Sequence, residues 1–239
     1  SMFIDAVDLD GDGLKDLVAG GWWWKNPGNI DGNWKRHTIG EPLRNMSVVF
    51  DADKDGDFDI VGTEGVGSEK NHQHIWARND GKGNFTILDN IETGGDGDLL
   101  QGCVFANFSG TRQLLLSWHN DGGGIQALTV PENPSENAWD FSTITEFTEK
   151  EDLSVGDIDR DGDLDVLTGE HWLENKGGSF SVHRLGHVRD GEADRNDLAD
   201  VNGDGRLDAI IALELFTDVY WFEAPEDPRQ EWKRHQLGT

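Results

Sequence analysis

Four short stretches of the chain gather carboxylates at one spacing. They are Asp8, Asp10, Asp12 and Asp16; Asp51, Asp53, Asp55 and Asp59; Asp157, Asp159, Asp161 and Asp165; and Asp200, Asn202, Asp204 and Asp208. The sixth position is always glycine, at Gly13, Gly56, Gly162 and Gly205. Side chains at positions 1, 3, 5 and 9 converge on one hard cation when the backbone curls around it, and the glycine admits the sharp turn. With no cation, so many like charges repel one another and some must take up protons. Six to eight oxygen donors in irregular geometry are what calcium takes, so the spacing predicts about four structural Ca²⁺ sites.

The elements around these loops are strands. An EF-hand would need a bidentate glutamate at position 12, where this chain has Ala19, Gly62, Thr168 and Ile211. Short apolar, partly β-branched runs follow each loop, such as Ile60-Val61 and Val166-Leu167, and end at glycine or turn residues. Apolar runs also precede two of them, Val48-Val49-Phe50 and Leu153-Ser154-Val155. Each loop therefore joins two strands.

A second feature recurs 23 to 34 residues after each loop begins. Trp34-Lys35-Arg36-His37 is repeated as Trp232-Lys233-Arg234-His235, and Phe180-Ser181-Val182-His183 is a third version. Their alternation of apolar and polar residues marks a half-exposed strand. Weaker versions at Phe85–Leu88 and Trp139–Ile144 bring the number to five. The fifth loop position, Asn107–Leu115, has lost its carboxylates and is expected to hold no calcium. Between loop and W-K-R-H strand lies a tryptophan- and asparagine-rich strand, as in Trp22–Asn26 and His171–Asn175. Five units of four strands (about 2–40, 41–92, 93–146, 147–187 and 188–239) predict a single all-β domain over 1–239. The expected fold is a β-propeller of four-stranded antiparallel blades, five-bladed, with calcium loops between strands one and two of four blades. A larger ring cut short is the alternative.

The repeated D-x-D-x-D-G-x-x-D hairpins, followed by W-x-E/K-N at Trp23–Asn26 and Trp172–Asn175 and by close variants in the other two units, resemble the FG-GAP/VCBS repeats. That resemblance implies the calcium-bearing blades of integrin-α-type propellers. W-x-x-N-P followed by W-K-R-H also resembles carbohydrate-active FG-GAP proteins such as the aldos-2-ulose dehydratase group, with propeller polysaccharide lyases in the same neighbourhood. The repeat points to a fold; the function has to be argued from a site.

Composition narrows the partners. The 239 residues carry a formal charge of −27, which opposes binding to nucleic acid or to anionic membrane surfaces. No apolar run reaches transmembrane length. Cys103 is the only cysteine, so no intrachain disulfide forms. Open calcium loops fill where calcium is abundant, so an extracellular or periplasmic location is expected. Ser1-Met2 reads as an expression remnant, and the expectation is a domain of a longer secreted protein with flanking domains.

In such blades the ends of the second strands face away from the acidic loops and toward the axis. Those ends carry Glu64, His119, Glu170, His171 and Glu214, and an insertion in the second unit adds His72 and His74. Blade-linking loops add Arg44, Arg189 and Arg195. Together they predict a polar axial pocket for carbohydrate. Glu64, His119, Glu170 and His171 are its acid–base candidates, for a lyase or dehydratase that abstracts a proton, and the arginines clamp a carboxylate or enolate. Trp22 could stack on a sugar ring. A transition metal on His72, His74, His119 and His171 is a second use of the same groups. A lectin-like module or an accessory domain without turnover is the third reading.

Overall fold

The computed structural model describes residues 3–65, 73–92, 99–119, 123–147, 152–188 and 193–237. The described secondary structure is all β, in five four-stranded antiparallel sheets, each built from four strands consecutive in the chain. This is the arrangement that a five-bladed propeller requires.

The first sheet holds β1 (Ile4–Val7), β2 (Asp16–Ala19), β3 (Trp22–Lys25) and β4 (Lys35–Thr38). The second holds β5 (Leu43–Phe50), β6 (Asp59–Glu64), β7 (His74–Asn79) and β8 (Phe85–Leu88). The third holds β9 (Leu100–Phe108), β10 (Thr111–Trp118), β11 (Ile125–Thr129) and β12 (Asp140–Thr145). The fourth holds β13 (Ser154–Gly156), β14 (Asp165–Thr168), β15 (His171–Asn175) and β16 (Phe180–Arg184). The fifth holds β17 (Ala193–Ala199), β18 (Asp208–Leu213), β19 (Val219–Glu223) and β20 (Lys233–Leu237). The four acidic loops join the first two strands of sheets one, two, four and five, and a strand follows each of them.

Two compact units form: Ser1–Leu100 with Leu128–Ser142, and Gln101–Ala127 with Thr143–Thr239. In the first, apolar residues of sheets one and two close on each other, with Val18, Trp23, Leu43, Met46, Ile60 and Ile75 buried in one cluster. Trp139 is fully buried beside Trp76, with ring centroids 5.6 Å apart. In the second, Leu167, Trp172, Leu185, Ile211, Tyr220 and Phe222 form one cluster, and Leu115, Ile125, Val166 and Leu173 belong to another.

The second and third strands of sheets two and four are mostly buried, whereas the fourth strand of every sheet is at least partly exposed along its length. Trp23, Trp172 and Trp221, each on the third strand of its sheet, stack face to face on His37, His183 and His235 of the fourth, with centroids 4.2–4.8 Å apart. These recurring histidines are cross-strand packing partners.

The third sheet departs from the expected loop. The Asn107–Leu115 stretch is strand on both sides of a two-residue turn at Ser109 (φ 50°) and Gly110 (φ 91°). Positive φ at both central residues is the signature of the type I′ hairpin, whose twist matches that of paired strands. Leu115, at the ninth position, is fully buried in apolar surroundings.

Candidate functional site

The acidic loops share one backbone solution. Position 6 is left-handed in all four, at Gly13, Gly56, Gly162 and Gly205. Position 4 is left-handed too, at Gly11, Lys54, Arg160 and Gly203, although two of these carry side chains. The first-position carboxylate accepts the N–H of the position-6 glycine every time: Gly13 to Asp8 at 2.8 Å, Gly56 to Asp51 at 3.1 Å, Gly162 to Asp157 at 3.2 Å and Gly205 to Asp200 at 2.9 Å.

The ninth-position aspartates are fully buried and do a job the spacing alone does not show. One oxygen of each accepts the N–H of position 2: Leu9, Ala52, Ile158 and Val201, at 2.9–3.2 Å. The other accepts an N–H just past or at the end of the third strand: Asn26, Asn79, Asn175 and Ala224, at 2.7–2.9 Å. Asp16, Asp59, Asp165 and Asp208 therefore staple the loop to the sheet. The asparagine of the W-x-E/K-N run contributes its backbone to this staple, and Ala224 serves equally well in the fifth sheet.

In three loops these groups also form triads that could hold a metal ion. Ligand oxygens of Asp8, Asp10 and Asp16 lie within 4.8 Å of one another, as do those of Asp51, Asp53 and Asp59, and of Asp157, Asp159 and Asp165. None of these triads includes a histidine, and Asp12, Asp55 and Asp161 stand outside them. Asp10, Asp53, Asp57, Asp157 and Asp163 each bury one oxygen that accepts no hydrogen bond. Such an oxygen is costly unless something positive meets it, and an all-oxygen set is what hard cations prefer. Burial pushes Asp59 and Asp165 up to about 7. It pushes Asp57 up to about 6, with Asp55 and Asp53 adding repulsion. The three triads could thus hold a metal ion and relieve the charge they concentrate.

The loops differ in the cations that the chain itself supplies. Lys25 bonds both Asp10 and Asp12 in the first. Arg229 joins Asp159 and Glu174 at the third. In the last, Asn202 replaces an acid, while Arg206 at position 7 bonds Asp204 and the Ala224 carbonyl. Loop two has aspartate at all five odd positions, and its own Lys54 turns to Glu132 at 3.0 Å.

At the opposite end of each sheet lie the other candidate residues. Glu64 ends β6, exposed, and His74 opens β7, buried. His119 follows β10, partly buried. His171 opens β15 against the edge of Phe147, at 4.7 Å. Glu214 is exposed just past β18. Arg195 bonds Gln101 at 3.3 Å and pairs with Asp194 at 3.1 Å. His72 and Arg189 lie outside the described residues. Glu170 is heavily engaged: it accepts from Arg184 at 2.7 Å and from the Val188 N–H at 2.5 Å, with His187 at 3.2 Å. Burial alone would raise its pKa, but these three partners outweigh burial and hold it below the usual glutamate range.

Trp22 and Arg44 meet at one groove. Gly21, Trp22, Thr38, Gly40, Glu41, Leu43 and Arg44 line a 450 Å³ cavity. Trp22 is 41% exposed, the Arg36 guanidinium lies 5.4 Å from its ring centre, and Arg44 pairs with Glu41 at 3.0 Å. Arg36 and Glu41 are site residues that the strand-end pattern did not single out; their nearness to Trp22 appears only once β3 and β4 are paired.

No protein-family model matches the chain. No curated protein matches it at a significant level. Among solved structures, the Bacillus licheniformis rhamnogalacturonan lyase PL11 superposes with a TM-score of 0.51 and 14% identity. The superposition covers 88% of this chain and 46% of the lyase, so this chain spans about half of that protein's length. At this identity the likeness is one of fold.

Proposed function

We propose that the chain is a calcium-stabilised propeller of the FG-GAP type that recognises carbohydrate and works outside the cytoplasm, where calcium is abundant enough to fill open loops. The observation that carries the carbohydrate reading is the Trp22 groove. A half-exposed indole offers a flat apolar face to the C–H side of a sugar ring. Thr38, Glu41 and Arg44 beside it supply hydroxyl, carboxylate and guanidinium partners for ring hydroxyls. The fold likeness to a carbohydrate-active lyase agrees with this reading.

The test is glycan binding by the calcium-loaded protein, on an array and then by calorimetry. Trp22→Ala should lower affinity at least ~10-fold with an unchanged melting temperature, as removal of a stacking platform does. Undiminished binding by Trp22→Ala and Arg44→Ala would refute the groove and return the search to the strand ends near His119 and His171. Turnover is a second reading, favoured by the lyase neighbour alone. Glu170 is bonded three ways, which occupies its oxygens and lowers its basicity, so proton abstraction would fall to His119 or His171. Loss of product formation in His119→Ala or His171→Ala with binding retained would support it.

A further inference from the structure

We propose a second glycan site, specific for an oxyanion-bearing sugar, in the groove between the end of β16 and the start of β20. The groove measures 580 Å³ and is lined by Gly186, His187, Glu231, Trp232, Lys233 and Arg234. An adjoining 280 Å³ hollow shares Gly186, His187 and Glu231 and adds Arg184.

Charge makes this place unusual. The chain has 47 acidic residues against 20 lysines and arginines, so a surface patch drawn at random is acidic. Here two arginines, a lysine and a histidine share one concavity with a single lining acid, Glu231; from outside the lining, Glu170 pairs with Arg184 and His187, and Glu223 pairs with Lys233 at 3.0 Å. The guanidinium groups are also held in place. Arg184 donates through Nε to the Gly186 carbonyl at 2.8 Å and through Nη2 to Glu170 at 2.7 Å. Arg234 donates through Nη1 to the His187 carbonyl at 2.5 Å and lies over the Tyr220 ring at 5.4 Å. A guanidinium has five N–H donors in a fixed fork, so each arginine keeps donors beyond those its anchors use. Because the anchors already hold the side chains, little further ordering is required to receive a planar or tetrahedral oxyanion.

The same geometry selects among anions. The dense phosphates of a nucleic acid or the headgroups of an anionic membrane would meet the repulsion of the whole molecule, whereas a glycan chain with its acids spaced along it can lay one of them in the groove. Glu231 would repel a dense cluster of phosphates but can accept hydrogen bonds from sugar hydroxyls. Hydroxyls beside one carboxylate or sulfate are the matching chemistry. That the ligand is a glycan rests on the carbohydrate reading above; the preference for an anion rests on the groove itself.

The calcium-loaded chain is titrated with a polyuronate, a sulfated glycan and a neutral glycan. The expected result is tighter binding of at least one acidic polymer, weakening steeply from ~0.05 to ~0.3 M salt as exposed charges are screened. The double variant Lys233→Gln, Arg234→Gln should bind that polymer about tenfold less tightly, with the neutral glycan and the melting temperature unaffected. Glu231→Lys, which adds charge without removing an anchor, should tighten it severalfold. The uronate and sulfate arms show which oxyanion the fork prefers. Equal affinity for acidic and neutral glycans, or acidic binding indifferent to both variants, overturns the proposal. Neutral-glycan binding that survives Trp22→Ala would sink the Trp22 groove alone; acidic binding lost in Trp22→Ala but kept in the double variant would sink this site alone.

Discussion

The ninth-position aspartate and the first-position aspartate of an acidic loop should fail in different ways. Asp165 accepts the N–H groups of Ile158 and Asn175, both at 2.9 Å, in a fully buried setting. Asp165→Ala leaves both donors without their acceptor. Each orphaned buried donor costs about 1–3 kcal/mol, so the loss is about 2–6 kcal/mol even in chelator, and calcium should enlarge it because Asp165 also belongs to the triad. Asp157→Asn keeps an oxygen for the Gly162 N–H at 3.2 Å and removes only a ligand charge. It should cost little in chelator. With calcium at about a hundred times its dissociation constant, where one ion adds about 2.7 kcal/mol, it should forfeit up to that amount. The assay is urea denaturation of the wild type and both variants, each in saturating calcium and in chelator, analysed by midpoint and slope. If Asp165→Ala is harmless in chelator, the staple is not holding the sheet. If Asp157→Asn costs the same in both buffers, the loop is no ion site.

Four further outcomes follow from the same geometry. Chelation should lower the melting temperature of the wild type, and an unchanged melting curve would count against all four loops as ion sites. Lys25→Met removes the ammonium that bonds Asp10 and Asp12, so it should raise calcium affinity at the first loop while destabilising the chelated protein; calorimetry with calcium reads the first effect and thermal melting the second. Glu174 should give an acid-sensitive step. Burial would raise it, but hydrogen bonds from Arg229, Lys176 and His183 prevail and hold it at about 2. Its unfolded value is about 4.3, so its contribution is present above that pH and is lost as pH falls from about 4.3 to 2; Glu174→Gln should flatten denaturation midpoints across that window. Ser109→Asn should stabilise the third hairpin by a few tenths to ~1 kcal/mol, since asparagine before glycine favours a type I′ turn, and Gly110→Ala should cost ~1 kcal/mol through its φ of 91° alone, because nothing lies within 4 Å of the added methyl.

The sheets were legible because their signals are local. Carboxylate spacing, the apolar runs beside it and the W-K-R-H strands repeat within each unit, and local signals need no knowledge of partners. The roles of particular acids were less legible. Nothing in D-x-D-x-D-G-x-x-D distinguishes Asp165, whose two oxygens are taken by backbone donors, from Asp157, which buries an oxygen that accepts no hydrogen bond. That distinction depends on where the third strand ends. The position-4 conformation had a trace in the sequence, at Gly11 and Gly203, which Lys54 and Arg160 obscured in the other two loops. Glu170 read as a free acid–base candidate because its three partners lie 14 to 18 residues downstream. The Trp22 groove was half legible: exposed tryptophan in a W-W-W run suggests stacking, but Glu41 and Arg36 join it only through strand pairing.

The third unit shows what the acidic loops do not do. Its hairpin closes through two residues, Ser109 and Gly110, and its ninth position is Leu115 packed among Ala106, Ile125, Val166 and Leu173. Strand pairing therefore needs neither carboxylates nor an ion. A buried polar hub can be exchanged for an apolar side chain of similar size with little loss, provided that both hydrogen-bonding partners leave with it. The two-residue turn meets that condition, because strand ladder replaces the loop whose position-2 N–H would otherwise need an acceptor. The four retained loops pair a hydrogen-bonded staple with concentrated charge, and the staple alone would need only one aspartate per loop. The additional carboxylates at positions 1, 3, 5 and, in two loops, 7 are costly by themselves, so they are best explained by an ion that offsets their repulsion.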